Sequence, residues 1–402
     1  MSFSWLSPRV ALGAAAKMLK GIKYAPSFSM LPLSRMYRNL VGPPASFKAG
    51  KIRQVGIRIT ELCNLRCHTC GQWGDHGFLR GKSIKEIRQD ELTVSDYKAI
   101  FDDLAANGHH PLIYLWGGEP TLYDGYLDVV AYGESLGMHG TIATNGARVE
   151  RDVKEIVSIP FVLVQISVDG PDEASHNSCR PGAAESVDSF STVCTAIESL
   201  DEEKKRQNQA LPVVATLTVV SERNEGRLLE LYDKFADKVD VMVFYLGWWI
   251  DEERAIAHEE DYASRFTEKP TTHRSWLGDW RPSSFEALSA ELTELIKRGR
   301  NIGGPTIVVM PKISAADQLE TYYTDHSSTF GHDFCPALYT EVEISANGIV
   351  TPCRDYRDYV VGSLKENTLS QLWNSQRYID FRRSLAKGLM PVCSRCCGLM
   401  GL

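Results

Sequence analysis

Cys63, Cys67 and Cys70 stand within eight residues, in the run Thr60-Glu-Leu-Cys-Asn-Leu-Arg-Cys-His-Thr-Cys70. Three thiolates at this Cys-x3-Cys-x2-Cys spacing can hold three irons of a cubane and leave the fourth iron open. Zinc is the alternative, with His68 completing a four-ligand shell. Polar Asn64, Arg66, His68 and Thr69 argue against a group of inert core cysteines. A second set lies near the C-terminus. Cys335 is followed after twelve residues by Gly348 and four residues on by Cys353, and then come Cys393-x2-Cys396 and Cys397. Four thiolates suit an iron–sulfur cluster or a zinc ribbon. Cys179 and Cys194 read as ordinary buried thiols. The ten cysteines lie in a chain whose start has no long apolar core for export, so metal binding in the cytoplasm is the expectation, not a disulfide framework.

The elements that position these residues show in the hydrophobic pattern. Short apolar runs at 55–60, 112–116, 140–144, 162–168, 213–220 and 239–246 are rich in β-branched residues, as strands buried in a parallel sheet are. Helical patterns at 94–107, 126–136, 152–158, 187–205 and 226–236 separate them, and 284–298 supplies a sixth. Six β–α units in order predict an α/β fold, a parallel sheet curved into a full or partial barrel. A doubly wound open sheet shares this spacing. The stretch 247–282, with Trp248, Trp249, Trp276 and Trp280, reads as an irregular loop near the barrel top. Near Phe334 a smaller unit begins. Asn347-Gly348 between two apolar runs predicts a hairpin, and 369–385 a helix or helix pair.

The cysteine loop directly after a first strand resembles the signature of the radical S-adenosylmethionine (SAM) superfamily. Four further elements carry the resemblance. Gly117-Gly118-Glu119-Pro120 ends the second strand and is similar to the family's GGEP element, which contacts the SAM amino group. Thr144-Asn145-Gly146 ends the third. Ser167-Val-Asp169-Gly170 ends the fourth and matches the S-x-D-G element at the SAM ribose and methionine. Arg180 resembles the arginine that pairs with the SAM carboxylate, for which a guanidinium fork is suited. Leu246, ending the sixth strand, falls where the family holds adenine through backbone groups. Turn chemistry at Asn145 and Asp169, and an ion pair at Arg180, are the plainer readings. Thr69 stands where many members carry an aromatic residue, and Trp73 is expected to supply that packing.

The resemblance implies a partial (β/α)6 TIM-like barrel with one [4Fe–4S] cluster on Cys63, Cys67 and Cys70. It implies SAM cleavage to a 5′-deoxyadenosyl radical, a hydrogen abstracted from substrate, and a flavodoxin or ferredoxin as reductant. The Cys-x12-Gly-x4-Cys portion resembles the opening of the SPASM domain. With too few cysteines for two auxiliary clusters, the C-terminal unit looks like the shortened twitch form. That implies a second, auxiliary [4Fe–4S] cluster on Cys335, Cys353, Cys393 and Cys396, with Cys397 as the alternative to Cys396. The expected division is a basic arm over 1–50, the barrel over 51–310 and the SPASM/twitch unit over 330–402.

Charge is distributed unevenly. Residues 1–60 carry ten Lys or Arg and no Asp or Glu, so a chain of net charge −7 has a remainder of −17. The arm, with a helical pattern at 11–23, suits either an anionic membrane surface or the protein's own acidic body. No nucleic-acid partner is expected. The substrate is read as a peptide or small metabolite. A lipid pathway at the inner membrane face is the alternative, to which the tryptophan-rich stretch would lend itself if it is not simply packing. A non-catalytic iron–sulfur scaffold would have no use for the SAM elements.

Overall fold

The computed structural model describes residues 25–400 except 160 and 302, so the helix expected at 11–23 lies outside the described residues. Seven parallel strands follow one another across the sheet. They are β1 (Gln54–Thr60), β2 (Leu112–Gly117), β3 (Gly140–Thr144), β4 (Leu163–Ser167), β5 (Val213–Val220), β6 (Val241–Leu246) and β7 (Thr306–Met310). Helices connect them and cover the outer face, as parallel pairing requires. Alternate residues divide between the two faces. Val55, Ile57 and Ile59 of β1, and Ile113 and Leu115 of β2, are buried in the core with the helices. Gly56, Arg58, Tyr114 and Trp116 therefore turn to the inner face. β7 and the strand Gly362–Ser363 are the two ends of the sheet, which makes a partial barrel.

The C-terminal unit extends this same sheet. β8 (Glu341–Ile344) pairs in parallel with β1, in the register Gln54 to Glu341. β9 (Ile349–Thr351) returns antiparallel to β8, and β10 (Gly362–Ser363) antiparallel to β9. Gly348 sits at the hairpin turn with φ +83°, a conformation glycine adopts at little cost. The helices Leu369–Trp373 and Gln376–Leu385 form the expected pair.

The stretch 247–282 differs from an irregular loop. It contains the helix Glu252–Arg265, capped by Asp251, and a tight turn at Thr272–Trp276. The tryptophans pack over the barrel: Trp249 against Trp280 at 5.3 Å and Trp280 against Tyr323 at 5.2 Å. Trp248 lies 5.1 Å from Tyr245, and Trp276 donates to the Asp355 carbonyl. The described end of the arm is the helix Ala25–Val41. It docks on the C-terminal unit through a buried Arg35–Glu341 ion pair and through Arg38 over Tyr339.

Candidate active site

The cysteine loop leaves β1 at Thr60 and is held from several sides. Backbone N–H groups point at the sulfurs: Leu65 donates to Cys63 Sγ, and Gln72 and Trp73 to Cys70 Sγ, at 3.4–3.5 Å. Such donors stabilise thiolate charge and tune a cluster's potential. Burial holds Cys63 well above the usual thiol range and Cys67 at about 12, while Arg180 beside Cys67 works in the opposite direction. The loop thiols raise one another as well, so they face a common space. Among the described residues no group of three or more metal-ligating side chains is gathered to hold a single ion. A cubane needs its three thiolates farther apart than one ion does, and this donor set fits it. His68 turns away to Glu222, 2.6 Å distant, and is no fourth ligand to the loop. Trp73 is buried against Cys63 and Cys70 with Arg66 stacked on it at 4.0 Å.

The other strand ends converge on this loop. Gly118 N–H donates to the Thr60 carbonyl and Glu119 N–H to that of Leu62. Gly117 has φ +137°, and a Cβ on Gly118 would stand 2.0 Å from the Leu62 oxygen, so only glycines let the two turns meet. Glu119, 1% exposed, accepts from Thr121, from Thr144 Oγ1 at 2.6 Å and from Asn145 N–H at 2.6 Å. Burial raises its pKa and these donors oppose that rise. Pro120 opens the short turn that follows. Asn145 donates to Asn64 at 2.9 Å and reaches Cys63 Sγ at 3.8 Å. Asp169 is paired with Arg180 at 2.7 Å and accepts from Val219 N–H. Arg180 also donates to Cys67 Sγ at 3.6 Å. Its ion pair is therefore buried beside the loop rather than on the surface. Ser167 ends β4, and Leu246 ends β6 with its side chain fully in the core.

The C-terminal thiols are brought together from three segments. Cys335 precedes the turn Pro336–Tyr339, Cys353 follows β9, and Cys393 lies in the turn Pro391–Arg395. Burial and their neighbours raise all of them. Cys353 feels Cys393 and Cys335, and Cys396 feels Asp355, Cys397, Cys393 and Cys353. Cys397 feels Asp355 as well, and then Arg354 and Glu343 on the inner face. Cys396 and Cys397 both line a small cleft, partly open to solvent, at the ends of β6 and β7.

The inner face of the sheet carries a polar cluster that motif reading missed. Trp116 Nε1 donates to Glu343 at 3.0 Å, and Arg354 to the same carboxylate at 3.0 Å. Arg354 stacks over Tyr114, and Arg58 over Trp116. Gly56 leaves the room: a Cβ there would meet the Glu343 carboxylate at 2.2 Å. The signal in the sequence is Arg58 itself, a cation at an alternate position of a strand otherwise apolar.

Comparison with known proteins agrees with this geometry. Residues 57–235 match the radical SAM superfamily, and residues 335–397 the SPASM iron–sulfur cluster-binding domain. The chain is 30% identical over 326 residues to an AdoMet-dependent heme synthase of Methanosarcina barkeri, covering 80% of this chain and 82% of that one. It is 24% identical over 332 residues to the sporulation killing factor maturation protein SkfB of Bacillus subtilis, covering 81% of this chain and 66% of SkfB. The crystal structure of Streptococcus suis SuiB bound to precursor peptide SuiA superimposes with a TM-score of 0.56 at 16% identity, over 87% of this chain and 70% of that one. The chain thus belongs to the radical SAM superfamily, an enzyme family that uses SAM and iron–sulfur clusters, with a C-terminal SPASM domain.

Proposed function

We propose that Cys63, Cys67 and Cys70 ligate the [4Fe–4S] cluster of a SAM-cleaving site. SAM would lie against Gly117–Pro120, Asn145, Ser167, Asp169, Arg180 and the backbone of Leu246. When bound, cluster and SAM together supply a 5′-deoxyadenosyl radical that takes a hydrogen atom from substrate. The observation that carries this reading is the convergence of Glu119, Asn145 and Arg180 on the cysteine loop. In this reading Arg180 binds the SAM carboxylate and Glu119 locks the ends of β2 and β3. The barrel walls exclude water. Cys335, Cys353, Cys393 and Cys396 hold one auxiliary cluster, supported by their mutual proximity. Cys397, facing Arg354, is left to the interior. The organisation is an arm over 1–50, a barrel over 51–310 and a cluster unit over 330–402. The substrate is a peptide or small metabolite, supported by likeness to a peptide maturation protein and to a heme synthase. Flavodoxin or ferredoxin supplies the electron. Anaerobically reconstituted protein with dithionite is expected to convert SAM to 5′-deoxyadenosine and methionine, and a Cys63→Ala, Cys67→Ala, Cys70→Ala variant is not. Equal product from both would refute the ligand assignment.

A second reading concerns the arm. The helix Ala25–Val41 buries Arg35 yet exposes Leu33, Met36, Tyr37, Leu40 and Val41 along one side. Residues 1–60 carry ten Lys or Arg and no acid, of which Arg35 and Arg58 are buried, and beside the remaining cations this apolar row favours peripheral contact with an anionic bilayer. No helix among the described residues is long and apolar enough to cross a membrane.

A further inference from the structure

Arg58 is 4% exposed and projects from β1 into the barrel lumen. Its guanidinium lies 4.5 Å from the ring of Trp116 and 5.4 Å from that of Phe78. Aromatic stacking holds the guanidinium plane and leaves its in-plane N–H groups as donors. Nε and Nη1 are buried without a hydrogen-bond partner. Nη2 reaches only the Arg354 carbonyl, at 3.5 Å. Two of the neighbouring carboxylates have nearer cations, and the third, Asp355, accepts from Cys397 N–H. Glu61 lies 2.6 Å from Arg357 and 3.9 Å from Arg58, and Glu343 is taken by Arg354 at 3.0 Å. Glu341 is paired with Arg35. Burial first, and then Arg357, pulls the Arg58 pKa down to about 9, as expected of a cation short of a counter-ion. A buried charge is tolerated when it is paired, so Arg58 lacks an acceptor that something else must bring.

The position of Arg58 says what brings it. A Cβ on Gly117 would lie 2.8 Å from Arg58 Cγ, so the side chain passes directly under the Gly-Gly-Glu-Pro turn. In the β1–β2 register Arg58 faces Trp116, and Thr60 faces Gly117. Across the lumen, strand alternation turns Leu217 and Val219 of β5 and Val243 and Tyr245 of β6 inward, with Gln165 of β4 on the same face. We propose that Arg58 binds a carboxylate of the substrate in the barrel lumen, through Nε and the neighbouring N–H of Nη2, beside the SAM site. The substrate is then a carboxylate-bearing molecule. A charged acceptor is favoured over a neutral one because Glu61 and Glu343 are held by nearer cations. Nε–H and the N–H of Nη2 beside it are the adjacent in-plane donors that match a carboxylate fork.

This inference rests on reading the strand ends as the SAM site, and its test separates the two. The full-length, anaerobically reconstituted protein is kept in excess SAM. It is titrated with glutarate, glutaramide and inorganic phosphate by calorimetry. Glutarate is expected to bind at least about tenfold more tightly than glutaramide or phosphate. Arg58→Met is expected to erase that preference, and Arg58→Lys, which keeps the charge and loses the fork, to retain only part of it. Equal binding of acid and amide, tighter binding of phosphate, no binding of any probe, or a preference unchanged in Arg58→Met would each overturn the proposal. If Arg58→Met does not fold, the three probes on the wild type and on Arg58→Lys still decide. Reductive SAM cleavage by the same wild-type sample is measured alongside. Its absence counts against the site, whereas intact cleavage without a glutarate preference counts against Arg58 alone.

Discussion

Arg180 links three features that the sequence presents separately. It pairs with Asp169 at 2.7 Å, points at Cys67 Sγ at 3.6 Å, and follows the helix Glu173–Cys179 after the fourth strand. The buried Asp169 raises the Arg180 pKa against the pull of burial, so the guanidinium stays charged beside the thiol. In the proposed site it serves both a cluster ligand and the SAM carboxylate. Arg180→Ala is expected to weaken SAM binding by about 1.5–3 kcal/mol, the usual range for a charged hydrogen bond. Arg180→Lys restores charge without the fork and is expected to recover part of that loss. Calorimetric titration of reconstituted protein with SAM reads both, and an unchanged affinity in the alanine variant would show that Arg180 does not touch SAM.

Where a strand end turns, the geometry depends on neighbours more than on side-chain chemistry. The Gly117-Gly118 turn closes on the carbonyls of Thr60 and Leu62, and Glu119 then binds the ends of β2 and β3 together. Gly118→Ala would force a Cβ to within 2.0 Å of the Leu62 oxygen, a backbone atom that can move only with the cysteine loop. Wild-type protein with two cubanes holds about eight irons. In Gly118→Ala the iron content is expected to fall toward about four, with the C-terminal cluster retained and the far-ultraviolet circular dichroism unchanged. Full iron occupancy in this variant would show that the loop accommodates the methyl group.

The hairpin of the C-terminal unit pairs with β1, so the second thiol set is carried by the sheet that carries the first. The arm helix is fastened to this unit through Arg35 and Glu341, leaving its apolar row outward. Deleting the helix would strip Glu341 of its buried partner, so substitution on the exposed side is the cleaner test. Full-length protein is expected to co-sediment with anionic liposomes at low salt and to be released at high salt, because surface attraction is screened. Leu33→Glu, Tyr37→Glu, Leu40→Glu is expected to reduce sedimentation several-fold while leaving iron content and SAM cleavage intact. If neither protein sediments, the exposed row is no lipid surface, and the lipid-pathway alternative loses its support.

What the sequence determined by itself is chemistry set by adjacent residues. The Cys-x3-Cys-x2-Cys loop, the Gly-Gly-Glu-Pro turn and the Asn347-Gly348 hairpin depend on short-range spacing, and the six apolar strands depend on local periodicity. All six recur within two residues of where the pattern puts them. The helix Glu252–Arg265 escapes notice because it buries only Ala255, His258 and Tyr262, too few to mark a face. β7 is a run of only five residues after the helix Phe285–Arg298, so it too is hard to see. The tertiary structure alone decided that β8 lies against β1 and that Arg35 meets Glu341 across 306 residues. It also decided that Arg58 is buried with open donors. An arginine in a strand reads the same whether it meets water or the closed interior of a barrel, and only the packing of distant strands around it makes its missing partner visible.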